Sequence, residues 1–368
     1  MGLFSTLVRV SVNGYNGAMN SKKVLVGMSG GVDSSVAASM LIEQGYDVHG
    51  VFVEAYNEPG CRTDQDKKDA LQVALKLGIP FTVLDLRKEY KERVVNYFID
   101  EYKQGRTPNP DIICNRDIKF GLLYEYMEQN GYDYLATGHY ARINNVNPYS
   151  RKSVDPFLQM ALDSTKDQSY FLWQVAREKL DKIMWPLGNV EKSWVRKRAR
   201  ELGLPNADKP DSMGVCMIGE LNVSEFLKDK LGTKQGDVVW KNQVIGVHDG
   251  LWFYTIGARG GWKVKPEAQS ASMPPLYVTA KNLKLNTLEV GVREECYSRS
   301  FEVSELVGEV MNNKDIRVRV RNLGELTRVK AIVGSRVNLE EPIFALAPGQ
   351  SAVFYDESGC VVGGGIIV

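Results

Sequence analysis

Hydrophobic positions follow two different periods along the chain. From residue 22 to about residue 143, short apolar runs alternate with segments in which apolar residues recur at helical spacing. The apolar runs at 23–28, 48–53, 81–86 and 133–140 are predicted to be strands. Strands that alternate with helices predict βαβ units, whose right-handed crossovers build a doubly wound parallel sheet. The first half of the chain is therefore predicted to be α/β.

The pattern changes in the second half. Residues 168–204 are predicted to be helical, whereas after residue 232 the sequence favours short strands, for example at 281–291, 315–323 and 350–356. Period-two alternation with closely spaced turns is typical of a β-barrel or a small sandwich. We expect a domain boundary near residue 281.

Length and charge limit the function further. A chain of 368 residues exceeds the usual size of one domain, so at least two are expected. Its 46 Lys and Arg against 45 Asp and Glu leave a formal charge of +1, which disfavours a protein that coats a polyanion non-specifically. A nucleic-acid partner would have to be bound by local basic patches. No apolar run is long enough for a membrane span, so none is predicted.

Cysteine usage indicates a reducing compartment. The five cysteines are odd in number and far apart, and no pair has the spacing of a zinc knuckle. Such scattered cysteines are typical of intracellular proteins, so a cytoplasmic location is expected. Residues 1–21 have neither the Arg-rich pattern of a transit peptide nor a clear secretory layout, and they are predicted to be a flexible leader.

Residues 27–35, Gly-Met-Ser-Gly-Gly-Val-Asp-Ser-Ser, lie between the first predicted strand and the first predicted helix. Glycines allow a tight turn whose N–H groups converge, and the helix dipole adds positive potential, so the loop is a predicted anion cradle. Ser29, Ser34 and Ser35 offer hydroxyl groups to phosphate oxygens, and Asp33 is a candidate to position Mg²⁺. The loop lacks the lysine of a Walker motif, which favours binding of pyrophosphate as a leaving group. That leaving group indicates adenylyl transfer. The alternative is a Ser- and Gly-rich turn that only caps a helix.

The loop resembles the PP-loop of the N-type ATP pyrophosphatases. That resemblance implies cleavage of ATP, bound together with Mg²⁺, to AMP and pyrophosphate, and transfer of AMP to a carbonyl oxygen. It does not identify the substrate.

Cys114 follows a stiff turn formed by two prolines within residues 105–116. Arg106 and Arg116 flank it in sequence and would favour the thiolate if either were close in space. Asp111 precedes the cysteine by three residues and is a candidate acid or base. The sequence therefore marks Cys114 as a candidate reactive thiol.

Cys216 lies in a second loop, bracketed by glycines at 214 and 219. Cys296 and Cys360 lie within predicted strands and are expected to be structural, while the role of Cys61 is left open. An adenylating loop with two loop thiols predicts one reaction. An activated carbonyl oxygen is displaced by sulfur that one thiol carries as a persulfide, and the other thiol then forms a disulfide with it.

Six segments in order carry a more specific resemblance. They are residues 27–35, 105–120, 136–143, 166–173, 211–219 and 248–257. Together they resemble the tRNA-specific 2-thiouridylase family, known as MnmA or TrmU, over nearly the whole chain from residue 22. The chain departs from the family pattern at Ala258 and Gly260, where the family usually has Gln and Lys, and at Met213, where a polar residue is more common.

The resemblance implies a PP-loop (adenine nucleotide hydrolase-like) catalytic domain at 22–220, with a helical tRNA-binding insertion at about 165–205. A small central domain at 221–281 and a C-terminal β-barrel at 282–368 would follow. The family adenylates C2 of the wobble uridine in tRNAs for Lys, Glu and Gln and replaces that oxygen with sulfur. The implied partners are tRNA and a persulfide donor, either a cysteine desulfurase or a sulfur-relay protein.

The resemblance also implies roles for individual residues. Cys216 would carry the persulfide, Cys114 would attack it or close a transient disulfide with Cys216, and Asp111 would be the acid or base. The implied ATP site consists of Gly27, Met28, Ser29, Gly30, Gly31, Val32, Asp33, Ser34, Val53 and Gly138. The implied tRNA contacts are Asn109, Pro110, Asp111, Lys166, Asp167, Gln168, Arg319 and Val320.

Some alternatives stay open from the residues alone. His139, at the end of a predicted strand, is a candidate site residue or a structural histidine. The arginines at 317, 319 and 321 share one face of a predicted strand and would either contact phosphates or form a solvated barrel face. Two other functions fit parts of the sequence: a PP-loop amide or amidine ligase with structural cysteines, and a non-catalytic RNA-binding protein that uses the barrel.

Overall fold

The computed structural model describes residues 5–10, 21–57, 62–144, 156–211, 223–268, 273–310 and 315–368. The described residues form two compact units. The first lies within 1–95, 110–220 and 358–361, and the second within 96–109, 221–357 and 362–368. No helix in the described part of the chain is long and apolar enough to cross a membrane.

The elements are numbered in chain order. The strands are β1 Ser5–Val10, β2 Lys23–Gly27, β3 Asp47–Glu54, β4 Phe81–Asp85, β5 Tyr134–Thr137, β6 Ala141–Asn144, β7 Phe157–Met160, β8 Ile183–Met184, β9 Gly236–Trp240, β10 Gln243–His248, β11 Lys263–Val264, β12 Tyr277–Asn282, β13 Thr287–Gly291, β14 Tyr297–Gly308, β15 Arg317–Arg319, β16 Thr327–Val333, β17 Arg336–Phe344, β18 Ser351–Tyr355 and β19 Val361–Ile367. The α-helices are α1 Val32–Glu43, α2 Thr63–Leu77, α3 Arg87–Tyr90, α4 Asn96–Lys103, α5 Pro110–Ile113, α6 Leu123–Gln129, α7 Ser169–Leu172, α8 Lys192–Glu201 and α9 Val223–Leu231. Segments Lys91–Val95 and Cys114–Leu122 are π-helical, and short 3₁₀ turns lie at Arg177–Lys182, Pro186–Asn189, Leu251–Phe253, Pro266–Ala268 and Arg293–Cys296.

The first unit is built on a six-stranded sheet of order β1-β4-β3-β2-β5-β8. Strands β2, β3, β4, β5 and β8 pair in parallel, and the strand order reverses around β2, so the predicted doubly wound sheet is confirmed. Val24, Leu25 and Val26 of β2 are fully buried, as expected for a central strand covered on both faces. The carboxyl ends of these strands form the edge at which such sheets bind ligands.

Two expectations for this unit need correction. Residues 5–10 of the expected leader form β1, which pairs antiparallel with β4 at the sheet edge, while 1–4 and 11–20 lie outside the described residues. Segment 165–205 is not simply helical, because its strand Ile183–Met184 extends the parallel sheet beside β5. Only α8 in this segment exceeds two helical turns, and the 3₁₀ turn before it begins at Pro186, which has no backbone N–H to continue a helix.

The second unit contains two β-structures. A five-stranded sheet has the order β11-β10-β9-β13-β12, and strands β14 to β19 close into a barrel of order β14-β17-β16-β15-β18-β19. The predicted C-terminal barrel is therefore confirmed. The boundary expected at residue 281 falls within the β12–β13 hairpin, whose strands pair with each other and belong to the five-stranded sheet, so the barrel starts after Gly291.

Candidate active site

The predicted anion cradle connects β2 to the first turn of α1. The Ser34 hydroxyl accepts a hydrogen bond from the Ser29 backbone N–H at 3.2 Å and donates to the Gly31 carbonyl at 3.2 Å. Ser35 also donates to the Gly31 carbonyl, at 2.9 Å. These bonds fold the loop onto the N-terminus of α1, where N–H groups lack helical partners and favour an anion.

Gly30 requires its glycine for two reasons. Its φ of +74° is in the left-handed region, and an added Cβ would lie 2.2 Å from the Asp66 carbonyl oxygen. The Gly30 carbonyl accepts hydrogen bonds from Asn206 Nδ2 at 2.9 Å and from Lys209 Nζ at 3.2 Å. The loop is thus fixed in place by side chains far away in the sequence.

The end of β5 forms another wall of the cradle. Gly138 follows β5 and lies directly against the first turn of α1. His139 Nδ1 is 2.8 Å from Thr137 Oγ1, and its Nε2 is 3.5 Å from Lys119 Nζ. Burial, assisted by the charge of Lys119, lowers the pKa of His139 well below 6.5, so the ring is neutral at pH 7.

Cys114 begins the π-helical segment that follows α5, and its thiol is buried. Burial raises the pKa of Cys114 to about 11, with the nearby charge of Lys119 and a hydrogen bond with Tyr90 acting in the opposite direction. The flanking arginines have other partners: Arg106 pairs with Glu101, and Arg116 Nε lies 2.7 Å from Asp117 Oδ1. Because both guanidinium groups form these ion pairs, they do not favour the Cys114 thiolate in the way that their positions in the sequence suggested.

The structure links the thiol to the cradle. Lys119 is close enough to affect the pKa of both Cys114 and His139, and His139 follows Gly138, which packs on the first turn of α1. Cys114 and the predicted anion cradle thus belong to one connected region of the first unit.

The other predicted sulfur-transfer residues are only partly described. Asp111 is in α5, about one helical turn before Cys114, and its charge contributes to the raised pKa of that thiol. Cys216 lies outside the described residues, as does Met213, so the pairing of Cys114 with Cys216 stays a prediction.

The segment that leads to Asn109 belongs to the second unit and is held there by several contacts. Lys281 Nζ donates to the Gly105 carbonyl at 2.9 Å, and the Thr107 N–H donates to the Pro348 carbonyl at 2.7 Å. Gln350 Nε2 donates to the Thr107 carbonyl at 2.7 Å. Central-sheet and barrel residues therefore fix the backbone just before the predicted base-contacting motif.

The predicted tRNA contacts at 166–168 differ in their surroundings. Asp167 is fully buried and accepts hydrogen bonds from the Ala161 and Ser169 N–H groups at 3.0 and 3.2 Å, so its carboxylate stabilises a turn. Gln168 Oε1 accepts a hydrogen bond from the Tyr140 N–H at 3.0 Å. Only Lys166 of this trio carries its charge at a partly exposed position.

The predicted barrel contacts are buried. Arg319 is 5% exposed, with its guanidinium 5.3 Å from the centre of the Tyr355 ring, and Val320 is also buried. Val320 belongs to the hydrophobic core of the barrel, and Arg319 is buried beside Tyr355 although the sequence alternation placed it on a polar face. Arg321 is exposed, and its guanidinium donates to the Phe344 and Ala345 carbonyls.

A charged cluster at the cradle was not predicted from the sequence. Lys192 Nζ lies 2.6 and 2.8 Å from the two carboxylate oxygens of Asp33, and the Tyr140 hydroxyl donates to Asp33 Oδ1 at 2.8 Å. Lys192 Nζ is also 2.8 Å from Asp211 Oδ1. Lys192 is 159 residues from Asp33, so no local pattern could have connected them.

Asp211 has further cationic partners. Lys166 Nζ is 2.9 Å from its Oδ2, and Arg196 also pairs with it. Burial alone would raise the pKa of Asp211, but the hydrogen bonds from Lys192 and Lys166 outweigh that effect and hold it well below 3.8. Asp211 is therefore a permanent carboxylate at neutral pH. It directly precedes the segment that contains Cys216.

Protein-family models match nearly the whole chain. A model described as a tRNA methyl transferase HUP domain matches residues 22–220, a tRNA methyl transferase PRC-barrel domain matches 224–292, and an aminomethyltransferase beta-barrel domain matches 300–367.

Proteins related in sequence also align with nearly the whole chain. A Lactococcus lactis protein named tRNA-specific 2-thiouridylase MnmA is 42% identical over 359 residues, which covers 93% of each chain. A Listeria monocytogenes protein of the same name is 41% identical over 360 residues and 94% of each chain. Among solved structures, an NMN synthetase from Francisella tularensis matches 58% of this chain and 74% of its own, with 20% identity and a TM-score of 0.34.

Proposed function

The chain belongs to the family of tRNA-specific 2-thiouridylases, and from that membership we propose the following reaction. ATP binds in the loop at 27–35 and adenylates the C2 oxygen of wobble uridine 34 in tRNAs of the Lys, Glu and Gln type. Sulfur from a cysteine persulfide then displaces AMP to give 2-thiouridine. The observation that carries this proposal is the connection between the anion cradle and Cys114 through Lys119 and His139.

The first step is the adenylation. The uridine C2 oxygen attacks the α-phosphorus of ATP, the bond to the bridging oxygen breaks, and pyrophosphate leaves. The Ser29 and Ser34 hydroxyls, which lie within hydrogen-bonding distance of each other, and the N–H groups at the start of α1 would stabilise the phosphate charge. We propose that Mg²⁺ arrives with ATP, and the Asp33 carboxylate in the first turn of α1 would help to hold it.

The second step is sulfur transfer. The terminal sulfur of a persulfide on Cys216 attacks C2, and AMP leaves. Cys114 then attacks the Cys216 sulfur, so that 2-thiouridine is released and a Cys114–Cys216 disulfide forms, which an external thiol must reduce. In the alternative order, Cys114 attacks the persulfide first and releases sulfide, which attacks C2. The persulfide itself comes from a cysteine desulfurase or a sulfur-relay protein.

Cys114 needs a base in either order. With a pKa of about 11, its thiol is protonated at neutral pH. Asp111, about one turn earlier, is the proposed proton acceptor, and Lys119 would stabilise the thiolate that forms. Asn109 and Pro110, beside Asp111 in sequence, are proposed to contact the base, and Lys166 to contact tRNA.

The family models and the relatives have names that indicate different reactions. The first family model is described as a tRNA methyl transferase domain, whereas the relatives are named tRNA-specific 2-thiouridylases. A pair of loop cysteines together with an adenylating loop supports sulfur transfer.

We also propose a cytoplasmic location. The five cysteines are odd in number and far apart in the sequence, which supports it.

The test is thiolation of unmodified tRNA by the purified protein with ATP and a persulfide donor, with 2-thiouridine measured by mass spectrometry. We expect Cys114→Ala and Cys216→Ala to abolish product, whereas the matched control Cys296→Ala keeps activity. Pyrophosphate release should require tRNA. Wild-type thiolation by both cysteine variants, or tRNA-independent pyrophosphate release, would contradict the proposal.

A further inference from the structure

Lys192 occupies an unusual position at the cradle. Its Nζ contacts both carboxylate oxygens of Asp33, in the first turn of α1, and one oxygen of Asp211. The Lys192 side chain is only 12% exposed. A cation is thus held against the end of a loop that has no lysine of its own.

The backbone of Lys192 is fixed independently of its ammonium group. The Lys192 N–H donates to Asp163 Oδ2 at 3.0 Å at the beginning of α8. The side chain can therefore change partners by rotating about its own bonds, without movement of the helix.

The two carboxylates would keep other partners if Lys192 turned away. Asp211 would retain Lys166 and Arg196, and Asp33 would retain the hydroxyl of Tyr140. The pKa of Tyr140 is strongly raised, chiefly by burial and then by Asp33, so its hydroxyl remains a donor at neutral pH. With Lys192 turned away, Asp211 would still be paired with two cations, and the charge of Asp33, whose side chain is 32% exposed, would be stabilised by the Tyr140 hydroxyl and by solvent.

We propose that Lys192 is the phosphate-binding lysine of this ATP site, and this inference rests on the proposed binding of ATP in the loop. When the triphosphate enters, Lys192 exchanges a carboxylate oxygen for an oxygen of the β- or γ-phosphate. It then stabilises the charge that accumulates on pyrophosphate as it leaves. The lysine that a Walker loop carries within its own motif is supplied here by α8.

The experiment measures the affinity of the full chain for ATP, pyrophosphate and AMP by calorimetry. Lys192→Met is compared with Lys192→Arg, which keeps the charge, and with Lys197→Met, a matched control on the same helix whose side chain is 77% exposed. We expect Lys192→Met to weaken ATP and pyrophosphate about 10- to 100-fold, the effect of one lost charged hydrogen bond, and to leave AMP within about twofold. Lys192→Arg should retain most of the affinity, and Lys197→Met all of it.

A double variant separates phosphate binding from simple neutralisation of Asp211. If Lys192 only neutralises that carboxylate, Lys192→Met/Asp211→Asn recovers the affinity for pyrophosphate, and the inference is wrong. Our expectation is that the double variant stays weak. Unchanged pyrophosphate affinity in Lys192→Met, or an equal loss for AMP, also overturns the inference while the proposed function stands.

Wild-type protein that binds neither ATP nor pyrophosphate would instead refute the proposed ATP site and this inference with it. Thermal unfolding of each variant checks that it folds. Lys192→Gln, which is polar, uncharged and one atom shorter, replaces Lys192→Met if the methionine variant does not fold.

Discussion

The backbone of Gly138 packs directly on that of Ser34. A Cβ added to Gly138 would lie 2.6 Å from the Ser34 nitrogen and 2.8 Å from the Asp33 carbonyl carbon. Because both are backbone atoms, neither can turn aside as a flexible side chain would. The end of β5 therefore sets the position of the anion cradle, and only glycine allows this approach.

Gly138→Ala should displace the first turn of α1 and weaken ATP binding. Overpacking of this kind costs about 1–3 kcal/mol. Calorimetric titration with ATP would measure the loss. The control is Gly131→Ala, where φ is +72° but no atom lies within 4 Å of the added Cβ, so it costs some stability and leaves ATP affinity unchanged. Wild-type affinity in Gly138→Ala would show that the cradle tolerates the shift.

The Cys114 thiol should titrate near pH 11, because burial disfavours its thiolate. The rate at which Cys114 is alkylated by iodoacetamide, followed against pH in a variant whose other four cysteines are alanine, would give the midpoint. Lys119→Met should raise that midpoint further, because the lysine charge lowers the Cys114 pKa. A midpoint at or below the ordinary thiol value of 9.0 would mean that Cys114 is already activated in the protein without tRNA.

Asp211→Asn should destabilise the protein at pH 7 by about 1–3 kcal/mol, since a carboxylate with several cationic partners loses its charge. Its folded-state pKa lies below the unfolded value, so the stabilisation is complete at neutral pH and is lost as the pH falls below 3.8 toward the folded pKa. Urea unfolding between neutral pH and about pH 3 should show the difference in stability between the variant and wild type beginning to narrow at the acidic end. Asp208→Asn, at a surface pair with Arg200, is the control and should cost at most about 1 kcal/mol. A pH-independent difference between wild type and Asp211→Asn would argue against the ion-pair origin of its effect.

Lys281 should make stability rise with pH in the alkaline range. Burial lowers its pKa from 10.5 to about 8, so between these values the unfolded chain binds more protons than the folded protein. The free energy of unfolding of wild type should therefore increase relative to Lys281→Met as the pH rises from 8 toward 10.5. The neighbouring, exposed Lys284→Met is the control and should track wild type. A flat difference across this range would show that Lys281 is solvated in the folded protein.

Local patterns were sufficient for the architecture because they reflect short-range physics. Apolar runs alternating with amphipathic helices predicted the parallel sheet, and period-two alternation after residue 232 predicted the barrel. The same patterns misplaced the barrel boundary, because pairing of β12 with β13 is decided by hydrogen bonds between strands and not by composition. They also missed β8, whose two residues become a strand only beside β5.

The phosphate loop could be predicted from its own residues, since Gly-Gly followed by Val-Asp-Ser-Ser specifies a tight turn and a helix start within a few residues. The electrostatics around that loop depend on tertiary packing. Lys192 and Asn206 contact it from more than 150 residues away in the chain, so their contacts depend on how the segments that connect the strands pack on the sheet. Burial, which no local pattern reports, raised the pKa of Cys114 and enclosed Arg319. Charge and protonation at this site follow from packing between distant segments, and residue identity alone does not fix them.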